Sequence, residues 1–305
     1  MELDKDSSEN ASPHKVLSVT DVSQFVFCPR QFHLSKILGV HRQPPEFVEG
    51  TLEHDARRLL NEALRQSYIG SKPDEVTLMD SARTIIGKTL QYSKQIAMTQ
   101  HPIFTREIDE FIRELSFRFE LEERERTHSL LASRAGPWSE TVRASFPVQN
   151  EFPVFSSELQ LRGRIDEVYQ LSNGNLAIRD IKTAPVAFAF DESNQVQLAA
   201  YAMLLKEQES RKVERASVYS SRSLAERQVV VDEDLERKVL GATRNVREFL
   251  SHPELPEILT GPEALKCGVC FLREECMKLG SPEKDSRGIE ALFKSHGKLS
   301  LFGDD

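Results

Sequence analysis

The sequence predicts a mixed α/β domain, and three observations carry that expectation. Ile108, Phe111, Ile112, Leu115 and Phe119 recur at the spacing of one helical face. From Phe146 onward the chain breaks into short alternating segments, with Ser172-Asn-Gly-Asn175 reading as a turn between two strands. Helical and strand patterns then alternate to about residue 250, an order that packs helices on a sheet.

Taken in order, residues 1–15 are polar and read as a disordered tail. Ser18 followed by Asp21 suits a capping box for a helix through Val22, Phe25 and Val26. Pro29 is expected to interrupt that helix after Cys28, and Gly39 to end its continuation. A second helix should begin near Pro45 and carry Gly50, His54, Leu59 and Leu60. Residues 74–135 read as helical, with Glu122-Glu-Arg-Glu-Arg126 as a solvated stretch and Arg134-Ala-Gly-Pro137 as the break. Strands are expected over 151–154, 159–171 and 176–182, then a helix over 193–207. Strands near 216–219 and 228–231, a helix over 234–250 and a last helical pattern over 287–294 complete the chain.

Composition narrows the function. With 39% hydrophobic and 29% charged residues among 305, the chain is not wholly disordered and can bury a sizeable core. A net charge of −8 argues against sequence-blind coating of nucleic acid, yet leaves room for a local basic groove. No apolar run approaches the ~18 residues that span a bilayer, the densest being Val186 to Phe190. The first fifteen residues hold no apolar signal core, so a soluble, cytoplasmic protein without membrane contact is expected.

Asp180-Ile-Lys182 closes a predicted buried strand, and alternation puts Asp180 and Lys182 on one face. Asp166, on the preceding strand, joins them if the connection sets Asp166 opposite Lys182, as a three-residue loop would, or if a bulge near Glu167 shifts the face. A two-residue turn would leave it on the wrong face. Two carboxylates and a lysine buried together are costly unless something organises them. A divalent cation, Mg²⁺ or Mn²⁺, does so and activates water. The plain alternative is an Asp–Lys pair at a strand end. Gln197 and Tyr201, at i and i+4, share a face of the next helix, where a core tyrosine edged by glutamine is the competing view.

Cys267, Cys270 and Cys276 crowd together while Cys28 stands far away. Zinc usually takes two C-x-x-C pairs, so three clustered thiols plus one distant thiol suit an iron–sulfur cluster better. Unligated core cysteines are the third reading.

Together these residues resemble the RecB-like branch of the PD-(D/E)XK nuclease superfamily that carries an iron–sulfur cluster. The likeness is nearest to the CRISPR-associated RecB-like exonucleases, and the AddB nuclease domain shares the cysteine layout. The matching pieces are Cys28-Pro-Arg30, Gly50-x3-His54, Glu151, Gly163-Arg-Ile-Asp166, Asp180-Ile-Lys182, Gln197-x3-Tyr201 and Cys267-x2-Cys270-x5-Cys276. The resemblance implies a restriction-endonuclease-like mixed sheet flanked by helices, with the cluster joining the N- and C-terminal segments. It implies a nuclease domain over 16–276, in which 67–145 is a helical elaboration and 267–276 part of the cluster site, followed by a tail over 277–305.

The same resemblance implies roles. His54, Asp166, Asp180 and the Ile181 carbonyl would hold Mn²⁺ or Mg²⁺, and Lys182 would be the catalytic lysine. Gln197 and Tyr201 would support the site and the strand. Cys28, Cys267, Cys270 and Cys276 would hold [4Fe–4S]. The expected activity is metal-dependent hydrolysis of DNA, as a single-stranded exonuclease acting in CRISPR spacer acquisition beside other adaptation proteins. End processing with DNA-repair proteins is the first alternative, and a non-catalytic iron–sulfur DNA-binding protein the second. Asp180 stands where glutamate is commoner, and the stretch 67–145 exceeds what a compact member needs.

Overall fold

The computed structural model describes residues 16–280 apart from 43, 72, 134–135 and 184–190. The expected tail at 1–15, the apolar run 186–190 and the helical pattern at 287–294 lie outside the described residues. The capping box forms as expected: after β1 (Leu17–Ser18), Ser18 Oγ accepts from the Asp21 N–H at 3.0 Å, and the Asp21 carboxylate accepts from the Ser18 N–H at 3.1 Å. These bonds start α1 (Val19–Phe27). Pro29 does more than interrupt. It opens α2 (Pro29–Lys36) at a position whose N–H would be unsatisfied anyway, and Cys28 ends one helix while capping the next. Gly39, at φ 63°, makes the turn that follows.

Four helices come next: α3 (Pro45–Gly70), α4 (Glu75–Gln100), α5 (Thr105–Ala132) and α6 (Trp138–Ser145). The Ile108–Phe119 stripe does not join the core of the sheet. It packs instead in a separate helical core with Leu52, Leu64, Ile86 and Val142. The expected solvated run needs correcting. Within Glu122–Arg126 only Arg124 and Glu125 are exposed, whereas Glu123 is buried against Tyr68 and Arg126. Glu122 and Glu123 are also held by Arg57, Tyr219 and Tyr68 from other elements, contacts that no local pattern announces.

The sheet runs in the order β1-β3-β4-β5-β6, with β2 on the far edge of β3. Its later strands are β2 (Gln149–Ser156), β3 (Leu161–Gln170), β4 (Leu176–Lys182), β5 (Val213–Ser220) and β6 (Ala225–Val229). β4 and β5 are parallel and are bridged by α7 (Glu192–Glu209). α7 is apolar on nearly every side because it lies between the sheet and α1 with α8 (Glu233–Ser251). Val22, Ile165, Val168, Ile178, Leu198 and Val239 fill that core. A short α9 (Arg273–Lys278) follows.

Strand alternation turns Glu167, Arg179 and Tyr219 to the opposite face. There α3 and α5 meet the sheet through charge. Arg57 lies 2.9 Å from Glu53 and 2.5 Å from Glu122; Tyr219 donates to Glu122 at 2.8 Å; Arg179 Nε donates to Glu167 at 2.6 Å; Asn61 donates to Glu167 at 2.8 Å. Such a layer costs desolvation and is stable only while every charge is paired.

Candidate active site

The register between β3 and β4 places the carboxylates. Glu167 pairs with Arg179 and Gln170 with Leu176, so the connection is the five residues 171–175 and not two or three. Carried one step further, this alignment sets Asp166 across from Asp180 and not Lys182. The offset from the expected register is two residues, so Asp166 keeps the face shared by Asp180 and Lys182. Ile165 and Val168, three positions apart on β3, are both buried in the same core.

Beyond Glu167 the ladder with β4 stops, and further along the same edge β1 pairs with Leu161 and Arg162. In the gap the Ile181 N–H donates to Asp166 Oδ2 at 2.6 Å, replacing a strand-to-strand bond with a bond to a side chain. On the other side the β2–β3 register aligns Glu151 with Asp166, and Glu151 holds a left-handed φ of 52°. A non-glycine residue there is costly and is kept only where the surroundings fix it. Glu151, Asp166 and Asp180 thus line up across three neighbouring strands.

His54 reaches this row from α3. Its Nδ1 lies 3.2 Å from Glu151 Oε1 and 3.4 Å from Asp166 Oδ1. Among the described residues, His54, Glu151 and Asp166 are the one set of three such ligands whose atoms all fall within 4.8 Å of one another. Burial opposes charge on the imidazole, but Asp166, Glu151 and Asp180 outweigh it and push His54 up to about 9. Burial raises Asp166 to about 7, with Asp180 adding to the rise against the opposing pull of His54. Gly50, one turn before His54, is not required by space: a Cβ there would stand 3.5 Å from Thr183 Oγ1, an ordinary contact.

The second half of the site lies between β4 and α7. Lys182 Nζ is 2.9 Å from Asp180 Oδ2 and donates to Gln197 Oε1 at 2.9 Å. Gln197 Nε2 donates to Asp180 Oδ1 at 3.2 Å and to the Tyr201 hydroxyl at 3.1 Å, and Ser23 on α1 donates to Gln197 Oε1 at 3.3 Å. Burial works against the Lys182 charge, yet Asp180 and Asp166 hold its affinity for the proton above that of a free lysine. Asp180 Oδ2 is buried and has no hydrogen bond, only its ion-pair contact with Lys182.

This donor set fits a divalent cation. One imidazole and two carboxylates converge, and a buried third carboxylate, paired with Lys182, stands beside them. Ile181 is buried with its N–H committed to Asp166, which fixes the backbone of β4 next to that set.

The four cysteines gather at a different place. They line one pocket together with Arg30, Gln31, Leu34, Lys266 and Met277. All four are free thiols. Arg30 Nε donates to Cys276 Sγ at 3.1 Å, Gln31 Nε2 to Cys270 Sγ at 3.4 Å, and the Gln31 N–H to Cys28 Sγ at 3.4 Å. Arg30 is 1% exposed and also donates to the carbonyls of Pro256 and Gly280 at 2.5 Å. Burial raises Cys28 and Cys270, and neighbouring thiols add to the rise. Both are thus disfavoured as thiolates, a cost that coordination to a metal would remove.

Every site position singled out in the sequence therefore falls into one of two places. His54, Asp166, Asp180, Ile181, Lys182, Gln197 and Tyr201 meet at the split in the sheet, and Cys28, Cys267, Cys270 and Cys276 meet at the pocket. Glu151 had been matched as a motif without a role, although its geometry is that of a ligand. The sulfur contacts of Arg30 and Gln31 had no sequence signal beyond their place beside Cys28. A model of the PD-(D/E)XK nuclease superfamily matches residues 16–277. No curated protein matches the chain.

Proposed function

The chain belongs to the PD-(D/E)XK nuclease superfamily, and on that premise we propose that it hydrolyses single-stranded DNA from its ends at the His54–Glu151–Asp166–Asp180 site. Membership implies a metal-dependent nuclease using Mg²⁺ or Mn²⁺. The observation that carries the residue assignment is the meeting of His54, Glu151 and Asp166 with the Asp180–Lys182–Gln197 group at one split in the sheet.

His54, Glu151, Asp166, Asp180 and the Ile181 carbonyl would hold the cation. When bound, it supplies positive charge to the phosphate and eases deprotonation of water. Lys182 stands 2.9 Å from Asp180 and donates to Gln197, so its ammonium is placed to orient the attacking water and offset charge developing on the phosphoryl oxygens. Gln197 accepts from Lys182 and donates to Asp180, which fixes both against α7. Tyr201 accepts from Gln197 and thereby fixes the amide. Water oxygen bonds to phosphorus as one ester bond breaks, with no covalent intermediate on the protein. Asp180→Ala and Lys182→Ala should each slow cleavage by a factor on the order of 10². Unchanged turnover in both would overturn the assignment.

The cysteine pocket is assigned to [4Fe–4S]. Four thiols from two ends of the chain share it, three clustered and one distant in sequence, a layout that suits the separate corners of a cubane. The N–H donors on Cys276 and Cys270 are of the kind that set a cluster's potential. Protein purified without oxygen should contain iron and acid-labile sulfide in equal amounts; stoichiometric zinc without sulfide would overturn the cluster. We propose a role in CRISPR spacer acquisition alongside adaptation proteins on the resemblance of the whole motif set from Cys28 to Cys276. We assign the nuclease domain to 16–276, with 67–145 as its helical elaboration. No helix among the described residues is long and apolar enough to cross a membrane.

A further inference from the structure

Glu151 is engaged on both oxygens. Oε1 faces His54, while Oε2 lies 2.6 Å from Arg164 Nε. The Arg164 side chain is 70% exposed, although Glu151 is only 13% exposed. An exposed pair of this kind contributes little stability, because ordering a long side chain offsets most of the attraction. What the contact does is fix direction. Among the described residues only Nε is paired, so the two terminal nitrogens of the guanidinium are placed for a ligand, and that planar pair matches a phosphate. Arg162 lies two residues earlier on β3, also exposed, and side chains two apart share a strand face about 6.6 Å apart. Consecutive phosphates of an extended strand can meet that spacing. In a chain of net charge −8, two adjacent exposed guanidinium groups leading to a row of carboxylates form a local exception.

We propose that Arg162 and Arg164 form a two-phosphate track on β3 that seats the backbone of the substrate strand next to Asp166, with Glu151 aiming Arg164. This rests on the nuclease reading above. The test is binding of a labelled single-stranded oligonucleotide in EDTA over a range of NaCl concentrations, using wild type, Arg162→Ala, Arg164→Ala, Arg164→Lys and the double alanine variant. Each alanine should make the slope of log affinity against log salt less negative by about 0.7. Arg164→Lys should keep the slope but bind more weakly, because a point charge replaces a fork. In cleavage with Mn²⁺, Arg164→Ala should raise KM about ten-fold, the loss of one charged hydrogen-bonded contact. A wild-type slope in the double variant overturns the track. So does a result in which Arg164→Ala alters only the Mn²⁺ concentration needed, since Arg164 is then merely a counter-charge for Glu151. Failure of the wild-type protein to cut DNA with any cation is a different result and overturns the nuclease reading itself.

Discussion

Gly163→Ala should damage the site from behind, through Tyr201. A Cβ at 163 would stand 2.5 Å from Tyr201 Cε1, and 3.1 Å from both Tyr201 Cδ1 and Val19 Cγ2. Non-bonded carbons rest about 3.5–4.0 Å apart, so roughly 1 Å of room must be found. Little is available, because Tyr201 is 3% exposed and its hydroxyl is held by Gln197. Overpacking of this kind costs about 1–3 kcal/mol. In a domain of this size each kcal/mol lowers the melting temperature by about 2–4 °C. A fall of between 2 and 12 °C, roughly, is expected from those two ranges. Cleavage measured well below the melting point should fall as well, since a displaced Tyr201 leaves Gln197 free to turn away from Asp180 and Lys182. Thermal melts of Gly163→Ala, Tyr201→Ala and the double variant isolate the contact: the double should be no less stable than Tyr201→Ala alone. A single variant that melts like wild type, or a double that shows both penalties in full, would refute the close approach.

Two further outcomes follow from the electrostatics. Burial disfavours the Glu167 charge, but Arg179 and Arg57 outweigh it and hold the carboxyl down at about 2, below its ordinary 4.5. Its stabilising effect is therefore complete above pH 4.5 and is lost as pH falls toward 2. Glu167→Gln should cost about 3–5 kcal/mol at neutral pH by stranding Arg179, and should flatten acid unfolding over that window; a steep acid transition kept in the variant would contradict this. At the other site, His54 near 9 carries a proton that a cation must displace. Mn²⁺ should bind more tightly as pH rises from 7 to 9 and should release protons as it binds. Calorimetry in buffers of different ionisation enthalpy checks both, and pH-independent binding would count against His54 as a ligand.

Much of this architecture was legible because its signals are local. The Ser18–Asp21 box, the strand 176–182 and the helix over 193–207 rest on neighbours within a few positions, and each stands where expected or within two residues. The row of carboxylates was legible only in outline. Asp166 was expected beside Asp180 and Lys182 only if a three-residue loop or a bulge set the register; the five-residue connection that does so, and the left-handed Glu151, are three-dimensional choices with no composition cue. The charge layer was misread because Glu122-Glu-Arg-Glu-Arg126 resembles a solvated helix. Arg57 and Tyr219, which hold Glu122, lie 65 and 97 positions away in the chain. The Ile108–Phe119 stripe was correctly read as buried, but a stripe says nothing about which core it enters.

The most direct test is cleavage of end-labelled single-stranded and double-stranded DNA by wild type and Lys182→Ala, with Mn²⁺, with Mg²⁺ and with EDTA. The account predicts products from single-stranded ends with either cation, none in EDTA, and a loss on the order of 10² in the variant. Cleavage that survives EDTA, or that is equal in wild type and Lys182→Ala, would contradict it.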